Sequence, residues 1–200
     1  ENDHLRGSAV TLARAIQSRQ ISSEQAVDAC LRRIEEVNPK INAVVTLCRK
    51  EALEQARKAD DDLRRGVCRG PWHGVPMTIK DSLDTAGVKT TAGTEGRKDF
   101  IPKSNATVVD RLLRSGAILL GKTNTPEITM DYRTDNLLFG STKNPYNIAK
   151  SPGGSSGGAA AIVAAGGSPF DVGSDTGGSI RVPSGFCGTA GIKPTSGRVP

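Results

Sequence analysis

Histidine is scarce in this chain: His4 and His73 are its only two imidazoles in 200 residues. A histidine-based zinc site or a Ser-His-Asp hydrolase therefore has little to build on. Cysteine supplies no metal framework either. Cys30, Cys48, Cys68 and Cys187 are scattered without a C-x-x-C pair, a pattern that suits free thiols in a reducing, cytoplasmic setting rather than disulfides. Aromatic side chains make up 4% of the sequence, too few for a base-stacking platform. No apolar run approaches the roughly 18 residues of a membrane span, and no basic segment followed by an apolar one stands at the start. The chain opens "ENDHLRGS" and closes "TSGRVP", which reads as a piece of a longer protein. Whether a membrane anchor or signal belongs to the native form is therefore open.

The formal charge is +6, but the basic residues do not form a stripe. In "RKEALEQARKADDDLRR" they alternate with acids, as on a solvated helix face. No nucleic-acid partner is expected from this pattern. Two hundred residues that are 36% hydrophobic suffice for one domain with a buried core.

Periodicity divides the chain in two. Residues 1–70 read as a helical lead-in. "ISSEQAVDACLRRIEEVNP" spaces Val27, Leu31, Ile34 and Val37 as one helical face, with a capping box from Ser22 to Gln25 and a stop at Pro39. "RKEALEQARKADDDLRRG" predicts a polar helix ending near Gly66. From residue 71 strands and helices alternate. "HGVPMTIKD" puts Val75, Met77 and Ile79 on one face and Thr78 and Lys80 on the other, with Pro76 suited to a strand start. "NATVVDRLLRSG" predicts a helix closed by Gly116, "AILLGKTN" a buried strand, "SSGGAAAIVAAGG" a small-residue helix and "FDVGSD" a short strand. The implied fold is α/β, a mixed sheet with helices on both faces.

The last fifty residues hold 13 of the 23 glycines but only five charged side chains, Asp171, Asp175, Arg181, Lys193 and Arg198. Such a segment, rich in glycine and hydroxyls, reads as a buried polar site. Glycine lets a ligand approach the backbone, and successive N–H groups can cradle a negative oxygen. A phosphate is one candidate, but "GGSSGG" matches neither G-x-x-x-x-G-K-S/T nor G-x-G-x-x-G. The oxyanion of acyl transfer is the other. "GSSGG" formally fits the G-x-S-x-G elbow with Ser156 as nucleophile, yet that elbow needs a later histidine and none follows within these residues. A serine without histidine takes lysine as base, provided that burial or positive neighbours keep the amine neutral. Lys80, at the end of an apolar strand, is the candidate; taken alone it reads equally as a surface lysine. No S-x-x-K sequence occurs.

The combination "GVPMTIKD", "GGSSGG" and "GSDTGGSIRVPSGFCGTAGIKPT" resembles the amidase signature family of amide-bond hydrolases over roughly residues 74–200. The resemblance implies one amidase domain of which residues 1–200 are the N-terminal part, with 71–200 as its signature core. It assigns Lys80 as base, Ser155 as bridging serine on a cis peptide bond after Gly154, and Ser179 as nucleophile. The backbone N–H groups of Thr176, Gly177, Gly178 and Ser179 become the oxyanion donors. Ser156, Asp175 and Arg181 become supporting residues, and Cys187 a packed side chain. The family implies no metal and no organic cofactor, a small-molecule amide as partner, and allows a homodimer. "NTPEITMDYRTDN" (124–136) is closer to fatty-acid and general amidases than to the "NMDEFAMG" of the tRNA-dependent amidotransferases, and places Thr129 at a substrate-pocket position. Two alternatives stand beside the amidase: the A-type component of a glutamine-dependent aminoacyl-tRNA amidotransferase, and a non-catalytic assembly component of the same fold.

Overall fold

The helix that begins at Ser23 owes its start to Ser22. The Ser22 side chain accepts from Gln25 N while the Gln25 side chain accepts from Ser22 N, which satisfies two of the donors a helix N-terminus leaves open. The computed structural model describes residues 7–199; His4 lies outside them. The helices are α1 (Ala9–Gln17), α2 (Ser23–Ile41), α3 (Arg49–Arg64), α4 (Thr107–Arg114), α5 (Gly157–Ala164) and α6 (Arg181–Cys187). The strands are β1 (Val44–Leu47), β2 (Pro76–Lys80), β3 (Ile118–Thr123) and β4 (Asp171–Val172).

Pro39 does not stop α2. The helix continues to Ile41 and ends where Asn42 adopts a left-handed conformation. Near a C-terminus a proline forfeits only one backbone bond, so it is tolerated there. The side chain of Asn38 then fixes the turn, accepting from Ala43 N and Val44 N and donating to Val44 O. That turn delivers β1, which the helical reading of residues 1–70 missed. Four residues with burial fading toward one end carry almost no period-two signal.

The four strands form one sheet in the order β1-β3-β2-β4, with β2 parallel to both neighbours and β1 antiparallel to β3. Parallel neighbours need a crossover, and α4 supplies it between β2 and β3. Its Val109 packs with Met77, Ile79 and Leu119 on one face. On the other face Ile118 and Leu120 meet Val27, Leu31 and Ile34 of α2, Ala52 and Ala56 of α3, and Ala161 and Ile162 of α5. The alternation Ile118–Leu119–Leu120 thus feeds two cores, and helices cover both faces.

His73, the second of the two histidines, is structural. It is fully buried; Nδ1 accepts from Arg69 N at 3.0 Å, so the proton sits on Nε2, which donates to Ala59 O at 3.0 Å. Gly116 (φ +96°) closes α4 beside it, and a Cβ there would stand 2.6 Å from His73 Cα.

Leu31 joins α2 to the sheet at full burial. Leu31→Ala in the full-length protein is expected to cost about 2–5 kcal/mol, read as a lower midpoint in urea unfolding.

Candidate active site

Strand β2 ends in the core. Thr78 and Lys80 point away from Met77 and Ile79, toward α5, and every residue of the strand is buried. Lys80 has no solvent exposure at all. Its Nζ donates to Ser155 Oγ at 2.6 Å and to Ser174 Oγ at 3.1 Å. Burial is the main reason that its pKa falls to about 7, against the opposing pull of the Asp171 and Asp175 carboxylates. A desolvated ammonium loses hydration that two hydroxyls do not replace. The amine can therefore be neutral near physiological pH.

The backbone around Ser155 is closely confined. The Gly154–Ser155 peptide is cis. At Gly154 a Cβ would lie 2.7 Å from Asp131 O, and at Gly158 one would lie 2.4 Å from Asn124 N; both distances are below what a carbon tolerates, so the serine loop and the start of α5 lie tight against their neighbours. The Thr134 hydroxyl donates to Gly153 O at 2.8 Å and accepts from Gly157 N at 3.1 Å. Ser156 ties the two serine loops together: its N–H donates to Ser179 O at 3.0 Å, and its Oγ donates to Ser174 O at 3.3 Å.

The loop between β4 and α6 is organised by Asp175, whose side chain is completely shielded although Arg181 is half-exposed. Its oxygens accept from the N–H groups of Gly178 (2.7 Å), Ile180 (3.0 Å) and Arg181 (3.2 Å), and from Arg181 Nε and Nη2. The guanidinium chiefly, with these amides, holds the carboxyl far below the usual carboxylate range. Of the four expected oxyanion donors, Gly178 here gives its N–H to Asp175. The N–H groups of Thr176, Gly177 and Ser179 have no acceptor among the described residues. Gly178 itself sits at φ +125°, a conformation favourable only to glycine.

The structure thus brings Lys80 and Ser155 into contact and holds Ser179 beside them through its carbonyl. No hydrogen bond joins the Ser179 and Ser155 hydroxyls. Thr129 lies in a loop with left-handed backbone at Ile128 and Thr129 and bonds through its N–H to Pro126 O, not to the serines. Its neighbour Tyr132 does reach the site, donating to Gly177 O at 2.9 Å. Tyr132, Ser174 and Asp171 are the residues that sequence reasoning passed over. The one available signal was Asp171, a carboxylate inside a predicted strand in a charge-poor segment. A cleft of about 210 Å³ lined by Ser156, Ala160, Phe170, Asp171, Gly173 and Ile180 opens beside the loop.

Known proteins resemble this chain over most of its length. The sequence profile of the family described as Amidase matches residues 25–200. The A subunit of a glutamyl-tRNA(Gln) amidotransferase from Alkaliphilus metalliredigens is 49% identical over 181 residues, 90% of this chain and 37% of that protein. Among solved structures, a fatty acid amide hydrolase superposes with a TM-score of 0.88 at 34% identity, over 91% of this chain and 32% of its own. A bacterial aryl acylamidase does so with 0.85 at 37%, over 89% and 37%. The chain therefore spans well under half the length of the proteins it matches.

Removing Asp175 leaves three amides without their acceptor. Asp175→Ala is expected to destabilise the full-length protein by about 1–3 kcal/mol at neutral pH, measured by denaturant unfolding. Because the folded-state pKa is depressed, this contribution is present at neutral pH and fades as pH falls through the folded value, so the gap between variant and parent should narrow in acid.

Proposed function

The chain belongs to the amidase family, and on that premise we propose that it carries the Ser-Ser-Lys machinery of an enzyme that cleaves a carboxylic amide through a serine acyl-enzyme. The observation that carries this reading is the buried Lys80 amine, 2.6 Å from the Ser155 hydroxyl and with its pKa lowered to about 7. Neutral Lys80 accepts the Ser155 proton as Ser155 accepts that of Ser179, and Ser179 Oγ attacks the amide carbon. The carbonyl π electrons move onto oxygen. The N–H groups of Thr176, Gly177 and Ser179, which have no acceptor among the described residues, are the donors proposed for that charge, while Gly178 N–H is held by Asp175; one such donor is typically worth about 2.7–4 kcal/mol. Collapse breaks the C–N bond, the proton returns through Ser155 to the leaving nitrogen, and water, activated by the same relay, frees the carboxylate.

For this relay the Ser179 hydroxyl turns toward Ser155 once substrate is seated. Catalytic hydrogen bonds commonly tighten only in the substrate complex, and the Ser156 N–H to Ser179 O bond keeps the loops at working distance. Ser156, Asp175 and Arg181 support the loop. Residues 1–70 and 71–200 act as parts of one amidase domain, since α2, α3 and β1 share a core with β3.

A small amide is the proposed substrate, cleaved to carboxylate and ammonia or amine. A second reading has a specific observation behind it: relatives 45–49% identical are named as the A subunits of glutamyl-tRNA(Gln) amidotransferases. In that case glutamine is the amide, the ammonia goes to an aminoacyl-tRNA, and partner proteins are required. Ammonia release from glutamine, set against release from aliphatic and aromatic amides, separates the two.

The reading is tested by treating the full-length protein with a fluorophosphonate and locating the adduct by peptide mass spectrometry. An adduct on Ser179 is expected, slowed about 10²–10⁴-fold in Lys80→Ala, with a rate that rises as pH climbs through about 7. An adduct on Ser156 would instead make that serine the nucleophile. Folded protein without any adduct would favour the non-catalytic assembly role.

A further inference from the structure

Lys80 does not face its serines alone. On the same face of the sheet, Thr123 of β3 pairs with Lys80, and Asp171 of β4 pairs with Thr78. The Thr123 hydroxyl donates to Asp171 Oδ2 at 3.0 Å, so a side chain on one neighbouring strand anchors the carboxylate of the other across β2. Asp171 Oδ1 is sealed from solvent with no hydrogen-bond partner among the described residues, and Thr78 Oγ1 faces it without completing a bond of good geometry. An ionised carboxylate with one bare buried oxygen is costly unless a cation compensates it. We propose, resting on the assignment of Lys80 as general base, that Asp171 is a positioning residue whose carboxylate, held by Thr123, sets the charge environment in which Lys80 takes up and releases its proton.

The groups around Lys80 leave few rivals for this role. From α5 above it no charged side chain descends, because Gly157–Ala164 contains none. Beyond β4, Asp175 also bears on Lys80 but is already engaged by Arg181 and three amides. On β3 the cation Lys122 bears on Asp171, yet its amine is held by Leu83 O, Thr85 and Thr90. Asp81, next along β2, bonds to Thr91 instead. Of the carboxylates that bear on Lys80, Asp171 is thus the one with a buried, unpartnered oxygen. Burial pushes its pKa up to about 6, against the Thr78 and Thr123 hydroxyls and the two lysines. The carboxylate and the amine therefore titrate in overlapping ranges as a coupled pair.

The sign of the effect follows. A neighbouring negative charge favours the ammonium form; removing it lets Lys80 become neutral at lower pH. In the full-length protein, the rate of fluorophosphonate inactivation against pH should show its acidic limb moved down by about half to one unit in Asp171→Asn. Thr123→Val, which keeps the side-chain shape but leaves the Asp171 anion less supported, should move the limb the same way by less. A labelled parent whose limb stays in place in both variants, with rates merely scaled down, overturns the role of Asp171 while leaving Lys80 as base. A limb that moves to higher pH overturns it too. If the parent is folded and unlabelled, or if Lys80→Ala labels normally, the base assignment fails and takes this inference with it. Thr123→Val alone decides the matter should Asp171→Asn not fold.

Discussion

An amine with no access to water is the constraint around which this structure is arranged. A lysine placed at the end of a central strand, beneath a helix of small and apolar residues, cannot keep an ordinary ammonium. It either finds compensating charge or gives up its proton. Here it does part of each: two carboxylates bear on it from outside the strand, two hydroxyls accept from it, and its pKa still falls to about 7. The same burial that costs stability is what suits the side chain to the proposed role of base, because a solvated lysine would be protonated almost entirely at neutral pH.

Two hydroxyls, those of Ser155 and Ser174, reach the buried amine. The glycines at 154 and 158 permit backbone-to-backbone approach that any side chain would block. Thr134 bridges the turn between them, and Asp175 freezes the next loop by accepting five hydrogen bonds from backbone and guanidinium. Specificity of geometry here comes from hydrogen-bonded loops laid against a rigid sheet, not from a large apolar core. The core's part is to fix where β2 ends.

Local signals carried much of this into the sequence. The capping box at Ser22, the face of α2, the alternation of Met77 and Ile79 against Thr78 and Lys80, and the burst of glycine and serine after residue 150 are all one-dimensional patterns, and each has its counterpart in the fold. What escaped depends on proximity in space. Strand β1 is four residues long and acquires its identity only by pairing with β3. Pro39 sits in α2 because Asn38 and Asn42 end the helix later. That Gly178 gives its N–H to Asp175, or that Ser174 shares the lysine with Ser155, follows from loop closure that no spacing rule encodes.

The likeness to both hydrolases and amidotransferase components is intelligible on this footing. The proposed chemistry lies at the end of β2 and in two loops, within the residues that match both groups of proteins. The proposed base can be observed directly. Titrating the full-length protein with ¹³Cε-labelled lysine by NMR, with Lys80→Ala to assign the resonance, should give a midpoint near 7 for Lys80. A midpoint near the ordinary lysine value of about 10.4 would mean that the amine stays an ammonium, and would contradict its role as the base that activates the serines.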